Sequence, residues 1–163
     1  MSHDNLKKPA FDPMGVEPLV GISYPPPFNA IGNERIKRKL GDAVGLNNFG
    51  VNLVHLKPGQ GSSQRHWHSK QDEFIYILDG EGTLITDEGE QKLGPGACAG
   101  FPAGVMNGHH LVNNSDEMVI YLEVGDRTPG DGAEYPDIDL RLPKRPAGVD
   151  GFAFTHKDGT PYA

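Results

Sequence analysis

The chain has 163 residues, 36% of them hydrophobic, with 22 glycines and 14 prolines, and its 15 basic and 22 acidic residues give a formal charge of −7. That length suits one domain with ordinary extensions, and the dense Gly and Pro punctuation favours short strands and turns over long helices. The acidic balance argues against nucleic acid or a membrane surface as partners, and no stretch approaches the ~18 apolar residues that span a bilayer.

Residues 1–48 read as an N-terminal arm. Its start, "MSHDNLKKPAFDPMG", holds no apolar run of signal-peptide type, and the single cysteine, Cys98, has no partner for an internal disulfide. A cytoplasmic protein is therefore expected. "SYPPPF" at 23–28 favours extended polyproline geometry, and "NERIKRKLGDAVGL" leaves room for one short helical turn. The basic cluster in that second segment reads as a solvated face.

From Phe49 short apolar runs alternate with turns. "FGVNLVHLKPGQG" and "SSQRHWHSK" each read as a strand. "DEFIYILDGEG" and "TLITDEGEQKL" read as a hairpin pair, with turns at Asp79-Gly80 and Asp87-Glu88-Gly89. Further strands are expected in "ACAGF", "GHHLV" and "MVIYLEVGDR". About seven strands at intervals of roughly 8 to 12 residues predict an all-β sandwich or barrel over residues 49–125. Residues 126–163 read as a C-terminal tail packed on the barrel, with a short strand at "GFAFTHKDG". Cys98, among small residues, reads as a buried small hydrophobe.

The stretch "RHWHSKQDEFIYILDG" carries the chemistry. Alternation along a strand points His66 and His68 to one face, where two imidazoles can share an ion. Glu73 follows a short polar connection, in position to bring a carboxylate from the neighbouring strand. Glu73, Ile75 and Ile77 share one face of that strand; Phe74, Tyr76 and Leu78 share the other. Both faces are apolar, so both are expected to be covered, one by the interior and the other by the N-terminal arm or a second subunit. A homodimer is expected on that ground. An isolated His-x-His is a weak signal; it gains weight only if a further histidine returns to the same place, and "GACAGFPAGVMNGHHLVNNSD" offers His109 and His110.

At this point the chain resembles the cupin superfamily. His66, His68, Glu73 and Gly80 match its first motif, with the leading glycine, Gly61, displaced by one position. Gly96, Pro102 and Gly104 match the second. Asn107 stands where that motif has histidine; two residues look inserted, and His109 with Asn113 restores the ending. His110 with Asn114 fits as well. His109 is favoured because "VNNSD" then matches the family's usual turn, with His110 as the alternative ligand. The likeness extends to a subgroup of small bacterial cupins with "YLEVGDR" and "DGTPY" segments, some of them labelled sugar-phosphate isomerase.

The resemblance implies a double-stranded β-helix, or jelly-roll barrel, holding one divalent transition metal through His66, His68, Glu73 and His109, with open positions on the ion. Imidazole and carboxylate without thiolate suit Zn, Fe, Mn, Ni, Co or Cu. An open site of this kind polarises a carbonyl, activates water or binds dioxygen. Gln64, on the face of His66 and His68, and His55, Met106 and Asn107 are pocket candidates; Arg65 and Lys70 flank the motif and either attract an anionic substrate or face solvent. Tyr76 is assigned to packing. Three functions compete: a metal-dependent enzyme on a small polar metabolite, such as a sugar-phosphate isomerase; a non-catalytic sensor of a small ligand; and an Fe-dependent dioxygenase. No serine-nucleophile, phosphate-loop or dinucleotide-binding pattern offers another machine.

Overall fold

The computed structural model describes residues 9–144 and 153–162. In chain order its strands are β1 (Leu19–Val20), β2 (Ile36–Lys39), β3 (Phe49–Leu56), β4 (Trp67–His68), β5 (Glu73–Asp79), β6 (Gly82–Thr86), β7 (Gly89–Leu93), β8 (Cys98–Phe101), β9 (His110–Val112), β10 (Val119–Asp126), β11 (Ala133–Glu134) and β12 (Arg141–Leu142), with one helical turn, α1 (Leu40–Ala43). They form a large sheet in the order β1-β2-β3-β10-β5-β8 and two small ones, β7-β6-β9 and β12-β11-β4. The pairings are antiparallel. The architecture is an all-β jelly roll.

Alternation in β3, β5 and β10 sends Val54, Leu56, Ile75, Ile77, Val119 and Tyr121 inward. Leu84 of β6 and Leu111 of β9 meet them from the facing sheet, closing one buried core. Fully burying an aliphatic side chain of this size stabilises by ~1.5–3 kcal/mol, so this layer holds the two sheets together. A second buried cluster, Ala133, Tyr135, Leu140 and Leu142, gathers Tyr24, Phe28, Phe154 and Tyr162 around it. It ties residues before the barrel to residues after it.

Several expectations change in the fold. Strand β5 does not form a hairpin with β6: it pairs with β10 and β8, while β6 pairs with β7 and β9. The Asp79-Gly80 turn instead carries the chain from one sheet to the other. Gly80 has φ +75° and its Cα faces the Met118 carbonyl, so a side chain there is excluded twice over. The hairpin at Asp87-Glu88 is formed as expected. Cys98 is exposed rather than buried. Strand β8 is the sheet edge, and its pattern turns Ala99 and Phe101 inward and Cys98 outward. The segment expected as the arm contributes β1 and β2 to the large sheet, and the foreseen helical turn is α1. The strand foreseen at 151–159 lies partly outside the described residues; within them Thr155 bridges Arg141 and Pro161. Among the described residues no helix is long and apolar enough to cross a membrane.

Candidate metal centre

The two motifs meet through their backbones. Residues 61–66 run along β9: Ser62 N–H donates to Leu111 O (2.7 Å), His66 N–H to His109 O (3.1 Å), and His109 N–H back to His66 O (2.8 Å). This bridge brings two histidines distant in sequence side by side. Strand β4 then presents His68, and β5 opens with Glu73, whose neighbour on β8 is Phe101.

The side chains converge. His66 Nε2 and His68 Nε2 are 3.1 Å apart. Glu73 Oε2 lies 3.9 Å from His66 Nε2 and 3.8 Å from His68 Nε2. His109 Nε2 reaches the same oxygen at 3.2 Å. One ligand atom each from His66, His68 and Glu73 fits within 4.8 Å of the others, close enough to hold a metal ion together. His109 is fixed by stacking on Phe101, with ring centroids 3.6 Å apart and planes 3° apart. His110 turns the other way, and its Nδ1 pairs with Ser63 O at 3.0 Å.

Neighbouring groups set the rings. His66 Nδ1 donates to Gln64 O (2.9 Å), and His68 Nδ1 donates to Asp131 Oδ2 (2.7 Å). With both Nδ1 atoms protonated, the Nε2 lone pairs of His66 and His68 point at each other. Two facing acceptors beside a carboxylate leave a place for one cation between them, a proton shared by the two Nε2 atoms or a metal ion, and a set of imidazoles with a carboxylate fits a divalent ion. Asp131 is in turn held by Lys70 N–H (2.8 Å), Gln71 N–H (3.3 Å) and Ser69 Oγ (3.2 Å).

The electrostatics follow from burial and charge. Burial lowers the His66 pKa to about 4, despite Glu73 beside it. For His68 burial also acts downward, but the Asp131 hydrogen bond and the charges of Glu73, Asp131 and Glu123 win, and its pKa is raised. Burial would raise Glu73, yet the His109 hydrogen bond and the surrounding imidazoles bring it down to about 2. Glu73 is therefore anionic at neutral pH.

The centre faces a cavity of about 460 Å³ lined by Tyr24, Lys37, Asn52, Glu123 and Tyr135 among others. The Tyr135 ring stacks on His66 at 5.6 Å. A smaller recess of about 70 Å³ adjoins His68 and His109, walled by Trp67, Phe101, Pro102, Val105 and Asn107.

Other residues singled out from the sequence sit elsewhere. Gln64 reaches away with its side chain to Phe28 O (2.8 Å) and serves the site through its carbonyl. His55 sits one position out of phase with inward-facing Val54 and Leu56, outside the cavity lining. Met106 is 74% exposed, whereas Asn107 lines the small recess and is held by Asp87 N–H and Glu88. Arg65 is engaged by Asp137, Asp87 and Gly108 O, and Lys70 is exposed outside the cavity. Asp131, Lys37, Asn52, Glu123 and Tyr135 escape a sequence reading because none lies within the two histidine-bearing motifs, although Glu123 stands in the "YLEVGDR" segment; register across β2, β3 and β10 brings three of them together.

A family model described as Cupin domain matches residues 52–125. The crystal structure of a sugar phosphate isomerase from a cupin superfamily, from Silicibacter pomeroyi, is 47% identical, with 95% of this chain and 97% of that one covered and a TM-score of 0.88. The chain is a cupin. A proposed sugar phosphate isomerase from Acidithiobacillus ferrooxidans is 32% identical over 77% of this cupin and 78% of that chain, with a TM-score of 0.69. A polyketide cyclase from Streptomyces resistomycificus, 20% identical over 88% of each chain with a TM-score of 0.63, shares the fold. No curated protein sequence matches this cupin.

Proposed function

We propose that this cupin holds one divalent transition metal through His66, His68, Glu73 and His109 and isomerises a small phosphorylated sugar in the cytoplasm. The observation that carries the metal is the convergence of three imidazoles on one half-buried carboxylate that lines a large cavity. Sugar-phosphate isomerisation rests on the 47% identity to the Silicibacter pomeroyi protein of that name. A metal bound there supplies a Lewis acid for a carbonyl oxygen. The protein orients its imidazoles through Gln64 O and Asp131, keeps Glu73 anionic, and offers aromatic walls at Tyr24 and Tyr135.

The test is elemental analysis of the purified protein beside a His66→Ala, His68→Ala variant, followed by assay of the metal-loaded protein against aldose and ketose phosphates. About one equivalent of metal that disappears in the variant, with interconversion of at least one sugar pair, supports the reading. Equal metal in both proteins removes it. The small recess beside His68 and His109 favours a second reading, iron-dependent dioxygenation, since its size admits a diatomic gas. Bound iron with oxygen uptake would select that reading.

The protein is proposed to act as a homodimer. Phe74, Tyr76 and Leu78 are 41%, 40% and 44% exposed on the outer face of β5, an apolar row on an interior strand of the large sheet. Covering a row of this kind with a second copy is more favourable than leaving it in water.

A further inference from the structure

Strand β10 lies between β3 and β5, and its inward positions run Val119, Tyr121, Glu123. Glu123 is where the apolar core gives way to the cavity. It stands opposite Asn52 on β3 and Ile75 on β5. Glu73, two residues before Ile75 on the same face, is thus its diagonal neighbour, a placement that separates Cβ atoms by roughly 7–8 Å or slightly less. Both carboxylates line the same cavity, within reach of opposite ends of one small molecule.

The hydrogen bonding of Glu123 is lopsided. Lys37 Nζ lies 2.6 Å from Oε1, and Asn52 Nδ2 donates to the same Oε1 at 2.9 Å. Among the described residues nothing bonds Oε2. The Lys37 and Glu123 side chains are only 18% and 15% exposed. A half-buried ion pair of this kind adds little to stability, because well-packed apolar residues of like volume do as well or better. Its presence beside the His–Glu centre, with one oxygen tethered and the other free, calls for a chemical reason.

We propose that Glu123 is the base that carries the proton in the isomerisation, with Lys37 and Asn52 as positioning residues that aim its free oxygen at the substrate. The role rests on the sugar-isomerase reading above. In the aldose-to-ketose direction, Glu123 Oε2 takes the proton from the carbon next to the aldehyde. The C–H electron pair becomes the double bond of an enediolate as the carbonyl π pair moves onto its oxygen. The neighbouring hydroxyl proton passes to that oxygen; the proton on Oε2 exchanges with water in the cavity, and Oε2 then delivers a proton to the former aldehyde carbon, leaving a ketone. No atom is gained or lost and no oxidant enters. Glu73 is unsuited to the same role, because His109 and its neighbours hold it as a ligand. Glu123 is engaged by Lys37 and Asn52 through Oε1 alone, away from the imidazoles.

The experiment runs metal-loaded wild type and Glu123→Gln in D2O with phosphates of five- and six-carbon aldoses and ketoses, with NMR detection of product. Wild-type product is expected to carry deuterium next to the carbonyl. Glu123→Gln is expected to lose at least ~100-fold in turnover, the ordinary scale for a general base. Its metal content and its thermal shift with ketose phosphate are expected to match wild type. Glu123→Asp keeps the charge that pairs Lys37 but withdraws the carboxylate, and is expected to lose at least tenfold in kcat with KM little changed. Wild-type turnover with either variant within about threefold overturns the role of Glu123 and leaves the isomerase reading standing, as does a product free of solvent deuterium. No wild-type turnover of any sugar phosphate overturns the isomerase reading, and the base falls with it.

Discussion

The carboxylate of Asp131 sits 2.7 Å from Nδ1 of His68, across 63 residues of chain. It fixes which nitrogen of His68 keeps its proton and so which one faces the centre. Replacing it with Asn leaves an acceptor of nearly the same shape and removes the charge. Asp131→Asn is expected to weaken metal binding by about 10–100-fold, the scale seen when such an outer partner is lost. Competition titration against a chelator reads the change, and an unaltered circular dichroism spectrum assigns it to the site. Unchanged affinity would show that Asp131 only anchors its own loop.

Protons and fold stability are linked at His66. In the metal-free protein its pKa is about 4, held down by burial, against 6.5 in an unfolded chain. The unfolded chain therefore takes up the proton first. Stability is complete above about pH 6.5 and drains away as pH falls toward 4, by on the order of 3 kcal/mol. Glu73, lowered from 4.5 to about 2, extends the loss in the same direction at lower pH. His68 opposes it with stability present below 6.5 and lost as pH rises through its raised value. Calorimetry of chelator-treated protein is expected to show a Tm that drops from pH 6.5 to 4, and a shallower drop in His66→Gln.

Asn113 closes the second motif but never approaches the centre. It is fully buried; Nδ2 donates to Leu56 O (2.8 Å) and Glu117 O (2.7 Å), while Oδ1 accepts from Ser115 N–H (3.0 Å) and Ser115 Oγ (2.7 Å). Asn113→Ala is expected to cost about 1–3 kcal/mol, because it strands the buried Leu56 carbonyl and removes the acceptor that holds the Ser115 turn. Urea denaturation measures that loss, and metal per folded chain is expected to stay constant.

The outer row on β5 makes the dimer testable by charge. Phe74→Lys with Leu78→Lys places two cations on the face proposed to be shared, without touching Ile75 or Ile77 beneath. Sedimentation is expected to turn from dimer to monomer mass with the thermal stability of the monomer unit preserved. A wild type that already sediments as a monomer would end the proposal.

Much of this molecule was legible in its residues. Period-two alternation marked β3, β5 and β10, and local spacing marked His66, His68 and Glu73, since each signal is contained in one short segment. What escaped depends on which strand lies beside which. Asp79-Gly80 looks like a hairpin turn from sequence, yet it hands the chain between sheets, because β10 rather than β6 occupies the place beside β5. The exposure of Cys98 follows from an edge position that composition does not encode. Whether His109 or His110 faces Glu73 turns on the path of residues 105–108, and the His66–His109 backbone bridge selects His109 for that place. Lys37, Asn52 and Glu123 form one cluster only once β2, β3 and β10 are in register.

That backbone bridge has a thermodynamic consequence for ion choice. Because two amide hydrogen bonds already hold residues 66 and 109 together, the imidazoles need no ion to gather them. Little of the binding free energy is then consumed in ordering the chain. The same arrangement would meet every ion the proposed centre takes up, so the choice among them would be decided by coordination preference and supply rather than by folding.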